Sequence, residues 1–90
     1  MKKKILVSAI AFNEDKKIKN VIRRYKECDF KGLDIDYMVF DDGSSDKTLN
    51  IIKQNGIKYL RHETKLGVGA AIRSTINYAK NKYDVLVIMA

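Results

Sequence analysis

Three polar clusters in this chain hold residue types that could do chemistry: Ala11-Phe12-Asn13-Glu14, Asp41-Asp42-Gly43-Ser44-Ser45-Asp46, and the stretch from His62 to Gly69 with Arg73 just beyond it. Two adjacent carboxylates are costly when ionised and partly buried, so Asp41 and Asp42 make sense facing hydrogen-bond donors or a cation. A carboxylate can accept from the ring N–H of uracil or the N–H groups of guanine, whereas cytosine and adenine present an acceptor nitrogen at the matching place. Phe12 could cover such a base by its face. A second reading of Asp41 to Asp46 stays open, a turn followed by a helix cap, which these residue types form readily.

Gly67-Val68-Gly69 before a helix, with Lys65 and Arg73 nearby, allows a close backbone approach to an anion at a helix N-terminus. The dinucleotide fingerprint G-x-G-x-x-G/A is excluded, because Ile72 occupies its last small position and the loop follows the third strand, not the first. No G-x-x-x-x-G-K-[ST] phosphate loop occurs. His62 has no partner nucleophile in view and reads as structural, and no Cys/His/Asp cluster has zinc spacing. Cys28, the single cysteine, rules out an internal disulfide, fits a reducing compartment and reads as packing at a helix end.

The elements that must position these clusters follow from periodicity. Lys3 to Ile10 reads as a strand buried on both faces. From Glu14 the period changes, with Ile18, Val21, Ile22 and Tyr25 at helical spacing until about Cys28. Ile35 to Phe40 is a second strand. Ser44 or Ser45 is expected to cap a second helix that buries Leu49, Ile51 and Ile52 and ends at Asn55-Gly56. Ile57 to Leu60 is a third strand, Ala71 to Ala79 a third helix, and Tyr83 to Ala90 a final, highly apolar strand. The five tyrosines are placed at core edges and form no stacking platform for nucleic acid.

This βαβαβαβ alternation predicts a Rossmann-like three-layer α/β/α fold with a parallel four-stranded sheet in the order 3-2-1-4. All four strand ends then gather the polar clusters at one rim, with the topological switch point between the first and fourth strands. The last strand is left on an open edge despite its apolar composition, so the chain reads as a fragment able to self-associate there. Ninety residues make one domain, 1–90, with a thin core. At 46% hydrophobic and 32% charged the composition is that of a soluble globular protein, and no apolar run reaches the length of a membrane span. With no signal-peptide pattern, a cytoplasmic location is expected. The net charge of +7 could attract anions, yet the lysines are spread along the chain, as on a solvated face.

Taken together and in order, the three clusters resemble a known family. Ala11-Phe12-Asn13-Glu14 is similar to an "A-Y-N-E" segment, Val39 to Thr48 to a "V-D-D-G-S-x-D-x-T" signature, and Leu66-Gly67-Val68-Gly69-Ala70-Ala71 to an "x-G-x-G-A-A" loop. The family is glycosyltransferase family 2, including dolichol-phosphate-mannose-synthase-like enzymes of the A-type nucleotide-diphospho-sugar transferase fold. The resemblance covers nearly all of the chain. It departs at Ile10, where proline is usual, and at Phe12, where tyrosine is usual, a change that keeps stacking and loses a phenol hydrogen bond.

The resemblance implies an inverting hexosyltransferase-like enzyme with a UDP- or GDP-sugar donor, an acceptor not readable here, and a role in cell-wall or polysaccharide assembly at the cytoplasmic face of a membrane. It places Ala11, Phe12 and Asn13 by the base and ribose and Glu14 near the nucleotide. Asp42 binds the base, supported by Asp41 and the turn at Gly43, and Gly69 and Arg73 face the diphosphate. Mg²⁺ or Mn²⁺ is implied in the parent enzyme, held by an Asp-x-Asp-like motif that would begin near Ala90. No metal or catalytic residue is expected within these 90 residues, so the chain itself is expected to be inactive, and no nucleic-acid partner is implied. The competing reading is a small basic, non-enzymatic module that binds anions or nucleic acid.

Overall fold

The computed structural model describes residues 3–28 and 32–89. The elements are β1 (Lys4–Ala11), α1 (Asp15–Glu27), β2 (Asp34–Asp42), α2 (Thr48–Gln54), β3 (Lys58–His62), α3 (Val68–Ala79) and β4 (Val85–Met89). They form a four-stranded sheet in the order β3-β2-β1-β4, with every neighbouring pair parallel. This is the expected Rossmann-like architecture. Ala90, placed in the last strand by sequence, lies outside the described residues.

Side chains alternate across a strand with a period of two, and this splits the core in two. Odd-numbered residues of the central strands, Val7, Ala9, Ala11, Tyr37 and Val39, meet Ile18, Ile22 and Tyr25 of α1 and Ile51 and Ile52 of α2. Even-numbered residues, Leu6, Ile10, Met38 and Phe40, meet Ala71 and Ala79 of α3. Leu6, Met38, Val39 and Ile52 are fully buried. On the first face the Tyr25 hydroxyl donates to the Met38 carbonyl at 3.0 Å, and burial pushes its pKa up to about 12. At the amino end of the sheet the Tyr83 hydroxyl donates to Asp36 Oδ2 at 2.6 Å, while Lys4 and Asp84 exchange two 2.8 Å bonds that fasten β4 to β1.

Two local expectations are corrected. α2 begins at Thr48, and neither Ser44 nor Ser45 caps it; the Thr48 amide donates instead to Asp46 Oδ1 at 2.8 Å. Cys28 is exposed, because the chain turns to extended geometry there (ψ 123°) and leaves the helix before the side chain can pack. Asn55-Gly56 ends α2 as expected, with Gly56 at φ 67°.

β4 lies at the sheet edge with Val85 and Val87 exposed. An uncovered apolar edge strand templates pairing with another copy. Sedimentation equilibrium is therefore expected to show a mass that rises with concentration, and Val87→Lys to suppress that rise; a constant monomer mass in the unsubstituted chain would exclude edge pairing.

Candidate functional site

The period of two also separates the adjacent aspartates. Asp41 follows Tyr37 and Val39 toward the α1/α2 face, and Asp42 follows Met38 and Phe40 toward the α3 face. Both are almost completely buried, at 0% and 2% exposure. Asp41 accepts a short hydrogen bond from the Ser44 hydroxyl, and its Oδ2 has no hydrogen-bond donor, only Arg61 Nε at 3.6 Å in the next strand. Asp41 and Asp42 are therefore two separate carboxylate sites divided by the sheet.

Asp42 gathers donors from the β3–α3 region. Its Oδ1 accepts from the Leu66 amide at 3.0 Å and lies 2.8 Å from His62 Nδ1, and its Oδ2 accepts from the Gly67 amide at 2.9 Å. His62 is the parallel register partner of Asp42, so strand pairing alone sets the two side by side on one face. His62 Nε2 in turn lies 2.9 Å from Ser74 Oγ on α3. Burial works to raise the Asp42 pKa, but the His62 and two amide bonds outweigh it and hold the carboxyl below its ordinary value of 3.8.

The other two clusters are sewn together by side-chain bonds. Asn13 sits at φ 50°, a left-handed conformation that asparagine tolerates better than most residues. Its amide donates to Ser44 Oγ at 2.9 Å, and its Oδ1 accepts from Ser45 N at 2.9 Å and Asp46 N at 3.4 Å. α1 has no capping side chain of its own. Its start is served by the β2–α2 loop: Glu14 N donates to Thr48 Oγ1 at 3.0 Å and Asp15 N to Asp46 Oδ2 at 3.3 Å. Asp46 thus stands at the head of two helices, where a carboxylate also suits the positive dipole ends. Burial pushes its pKa up, and the Thr48 and Asp15 donors more than reverse that, leaving it below 3.8.

A cleft of about 470 Å³ opens on the α3 face at the carboxyl end of the sheet, lined by Ile10, Phe12, Glu14, Asp42, Lys65, Gly67 and Val68. That volume falls within the range of small-ligand sites, roughly 300–1,000 Å³. Of the residues singled out by sequence, Phe12, Glu14 and Asp42 form its wall together with Lys65, Gly67 and Val68 of the third cluster. Ala11 is buried in the α1/α2 core, Asn13 latches the loops, and Asp41 points through the opposite face. Gly69 lies inside the first turn of α3 rather than before it, with the exposed Arg73 guanidinium one turn on, 3.7 Å from where a Gly69 Cβ would sit. Lys65, expected from sequence beside an anion at the start of α3, holds its ammonium 4.4 Å from the centre of the Phe12 ring, a cation–π contact at the mouth of the cleft. His62, read from sequence as structural, holds Asp42 in place, and its alternation with Leu60 in β3 was the available signal for the face it takes.

Gly43 carries the turn that lets these loops meet. It has φ 76°, and a Cβ there would come within 2.5 Å of the Lys65 amide nitrogen. No other residue combines that conformation with that closeness. Among the described residues no group of three or more His, Cys, Asp or Glu could hold a metal ion. Asp42 is committed to His62 and the loop amides, and this donor-filled carboxylate does not suit Mg²⁺ or Mn²⁺. No helix among the described residues is long and apolar enough to cross a membrane.

The model of glycosyl transferase family 2 matches residues 7–89, and the chain belongs to that family. It is also 37% identical over 78 residues to the uncharacterized protein MJ1222 of Methanocaldococcus jannaschii, a stretch covering 87% of this chain and 30% of that protein. The chain thus spans less than a third of the length of that relative.

Two outcomes follow from the site's construction. Gly43→Ala is expected to destabilise the fold by about 2–4 kcal/mol, from a strained φ and a clash with backbone; an unchanged urea midpoint would show that the two loops are not in contact. The depressed pKa values of Asp42 and Asp46 contribute stability that is fully present above the unfolded value near 3.8 and is lost as pH falls through the folded values. Urea midpoints are expected to drop below about pH 4, and a double Asn variant, less stable at neutral pH, to lose much of that slope.

Proposed function

We propose that the cleft beside Asp42 is the nucleotide half of a sugar-donor site, taking UDP- or GDP-sugar, in an enzyme that transfers the sugar to an acceptor hydroxyl with inversion. The single observation that carries this reading is the shared cleft of Phe12 and Asp42: an aromatic face for stacking beside an ionised, acceptor-only carboxylate. With His62, Leu66 and Gly67 all donating, the acceptor capacity left on Asp42 suits a ring N–H, as on uracil or guanine. The amino end of α3, where the Gly67 amide is taken by Asp42, offers the amides of its first turn from Val68 on and a positive dipole end toward a diphosphate, and Arg73 adds a cation on the same helix.

Glycosyl transfer also needs a group that activates the acceptor and one that offsets charge on the leaving diphosphate. The acids of the cleft wall are Glu14 and Asp42, and the second is occupied in holding the loop. The described residues are therefore assigned nucleotide binding, with the chemical step supplied by other parts of the enzyme, and the chain alone is expected to give no turnover.

One feature favours a different class. The outer side of α1 carries Lys16, Lys17, Lys19, Arg23, Arg24 and Lys26, all exposed, as a non-enzymatic anion-binding module would. NMR titration of the chain with UDP, GDP, CDP and a short oligonucleotide separates the two. The donor-site reading predicts UDP- or GDP-selective shifts at Phe12, Asp42 and Gly67 that weaken about tenfold in Phe12→Ala, in line with the worth of one stacking contact. Shifts confined to the α1 lysines, strongest with the oligonucleotide, would replace it with the second reading.

A further inference from the structure

The chain of contacts Ser74–His62–Asp42 has the order of a nucleophile relay, but Ser74 stands inside α3, where backbone amides are committed to helical hydrogen bonds and leave no oxyanion donors. The relay makes sense read toward the aspartate. Resting on the donor-site reading, we propose that His62, oriented by Ser74, is the positioning residue that sets how many acceptor sites Asp42 offers and thereby its preference for a base with a ring N–H.

An ionised carboxylate has about four acceptor sites and no proton to give. The His62 and Leu66 donors fill both sites of Oδ1, and Gly67 fills one of Oδ2, so one site on Oδ2 is left. For His62 to bond Asp42 its Nδ1 must carry a proton. In the neutral ring Nε2 then accepts from the Ser74 hydroxyl, and in the charged ring it donates to Ser74 Oγ. The ring is further set by edge-on packing against Phe40, 4.8 Å between centres at 70°, and its side chain is only 14% exposed. Removing the Nδ1 donor opens a second site on the carboxylate and frees it to turn. A carboxylate with two open sites accepts an exocyclic amino group as readily as a ring N–H, so discrimination against cytosine fades.

The test uses the ¹⁵N-labelled 90-residue chain. Ring-nitrogen spectra of the unsubstituted protein are expected to show His62 Nδ1 protonated, a readout independent of any nucleotide; a ring protonated at Nε2 alone would overturn the proposal. Dissociation constants for UDP and CDP are then compared across His62→Phe, His62→Asn and Ser74→Ala. His62→Phe keeps a ring and lacks the donor, so it is expected to weaken UDP binding about tenfold and bring the UDP-to-CDP preference toward one, as loss of one charge-assisted hydrogen bond would. His62→Asn, whose side-chain NH₂ takes the place of Nδ1–H, is expected to restore the preference, and Ser74→Ala to fall between. If His62→Phe does not fold, the Ser74→Ala comparison and the ring spectra still decide. UDP binding with an unchanged UDP-to-CDP ratio in Ser74→Ala and His62→Phe would overturn the role of His62 alone. An unsubstituted chain that binds none of the nucleotides would remove the donor-site reading, and base selection by His62 with it.

Discussion

The structure at the rim turns on one buried charge. Asp42 is enclosed at the end of β2, where an ionised carboxylate without partners would cost several kcal/mol or would take up a proton. It keeps its charge because three donors from β3 and the β3–α3 loop converge on it. The same bonds hold Leu66 and Gly67 against the sheet, fix where α3 begins, and so place a helix N-terminus beside the aromatic ring of Phe12. The order of the β3–α3 loop and the starting point of α3 come from a single electrostatic requirement. A neutral residue at position 42 would relieve the buried charge and release the loop together.

The second constraint is the seam between the β1–α1 and β2–α2 loops. Asn13, Ser44, Asp46 and Thr48 satisfy amides across 31 to 34 residues of sequence, and neither α1 nor α2 depends on a capping residue at its own N-cap position. Phe12 and Glu14 flank Asn13, so the latch made by Asn13 also sets its neighbours in the wall of the cleft. The run D-D-G-S-S-D-K-T thus reads in order as one carboxylate for the opposite face, one that holds the β3–α3 loop, a glycine for close approach, and a serine, an aspartate and a threonine for the seam.

Features set by local interactions were legible in the sequence, and features set by distant contacts were not. Strand and helix order followed from apolar periodicity, and the 3-2-1-4 topology from alternation and handedness, because both are properties of contiguous segments. The split of Asp41 from Asp42 was also within reach, since period two in a strand forces it; extending β2 only to Phe40 hid the consequence by leaving both residues in a loop. The bond from Asp46 to the head of α1, the Asn13 latch and the pairing of His62 with Asp42 join residues 20 or more apart, and no pattern in one chain reveals which distant amide a carboxylate will meet. Cys28 sits at the end of α1 as its position implies, but as the C-cap in extended geometry it is exposed instead of packed, a backbone departure that helical spacing does not show.

The most direct measurement is an intermolecular NOE experiment on the labelled chain with bound UDP. The account predicts contacts between the uracil ring protons and the Phe12 ring, together with slowed solvent exchange of the uracil imino proton held at Asp42. Contacts from the uracil to the α1 face, with the imino proton exchanging as in free nucleotide, would contradict it.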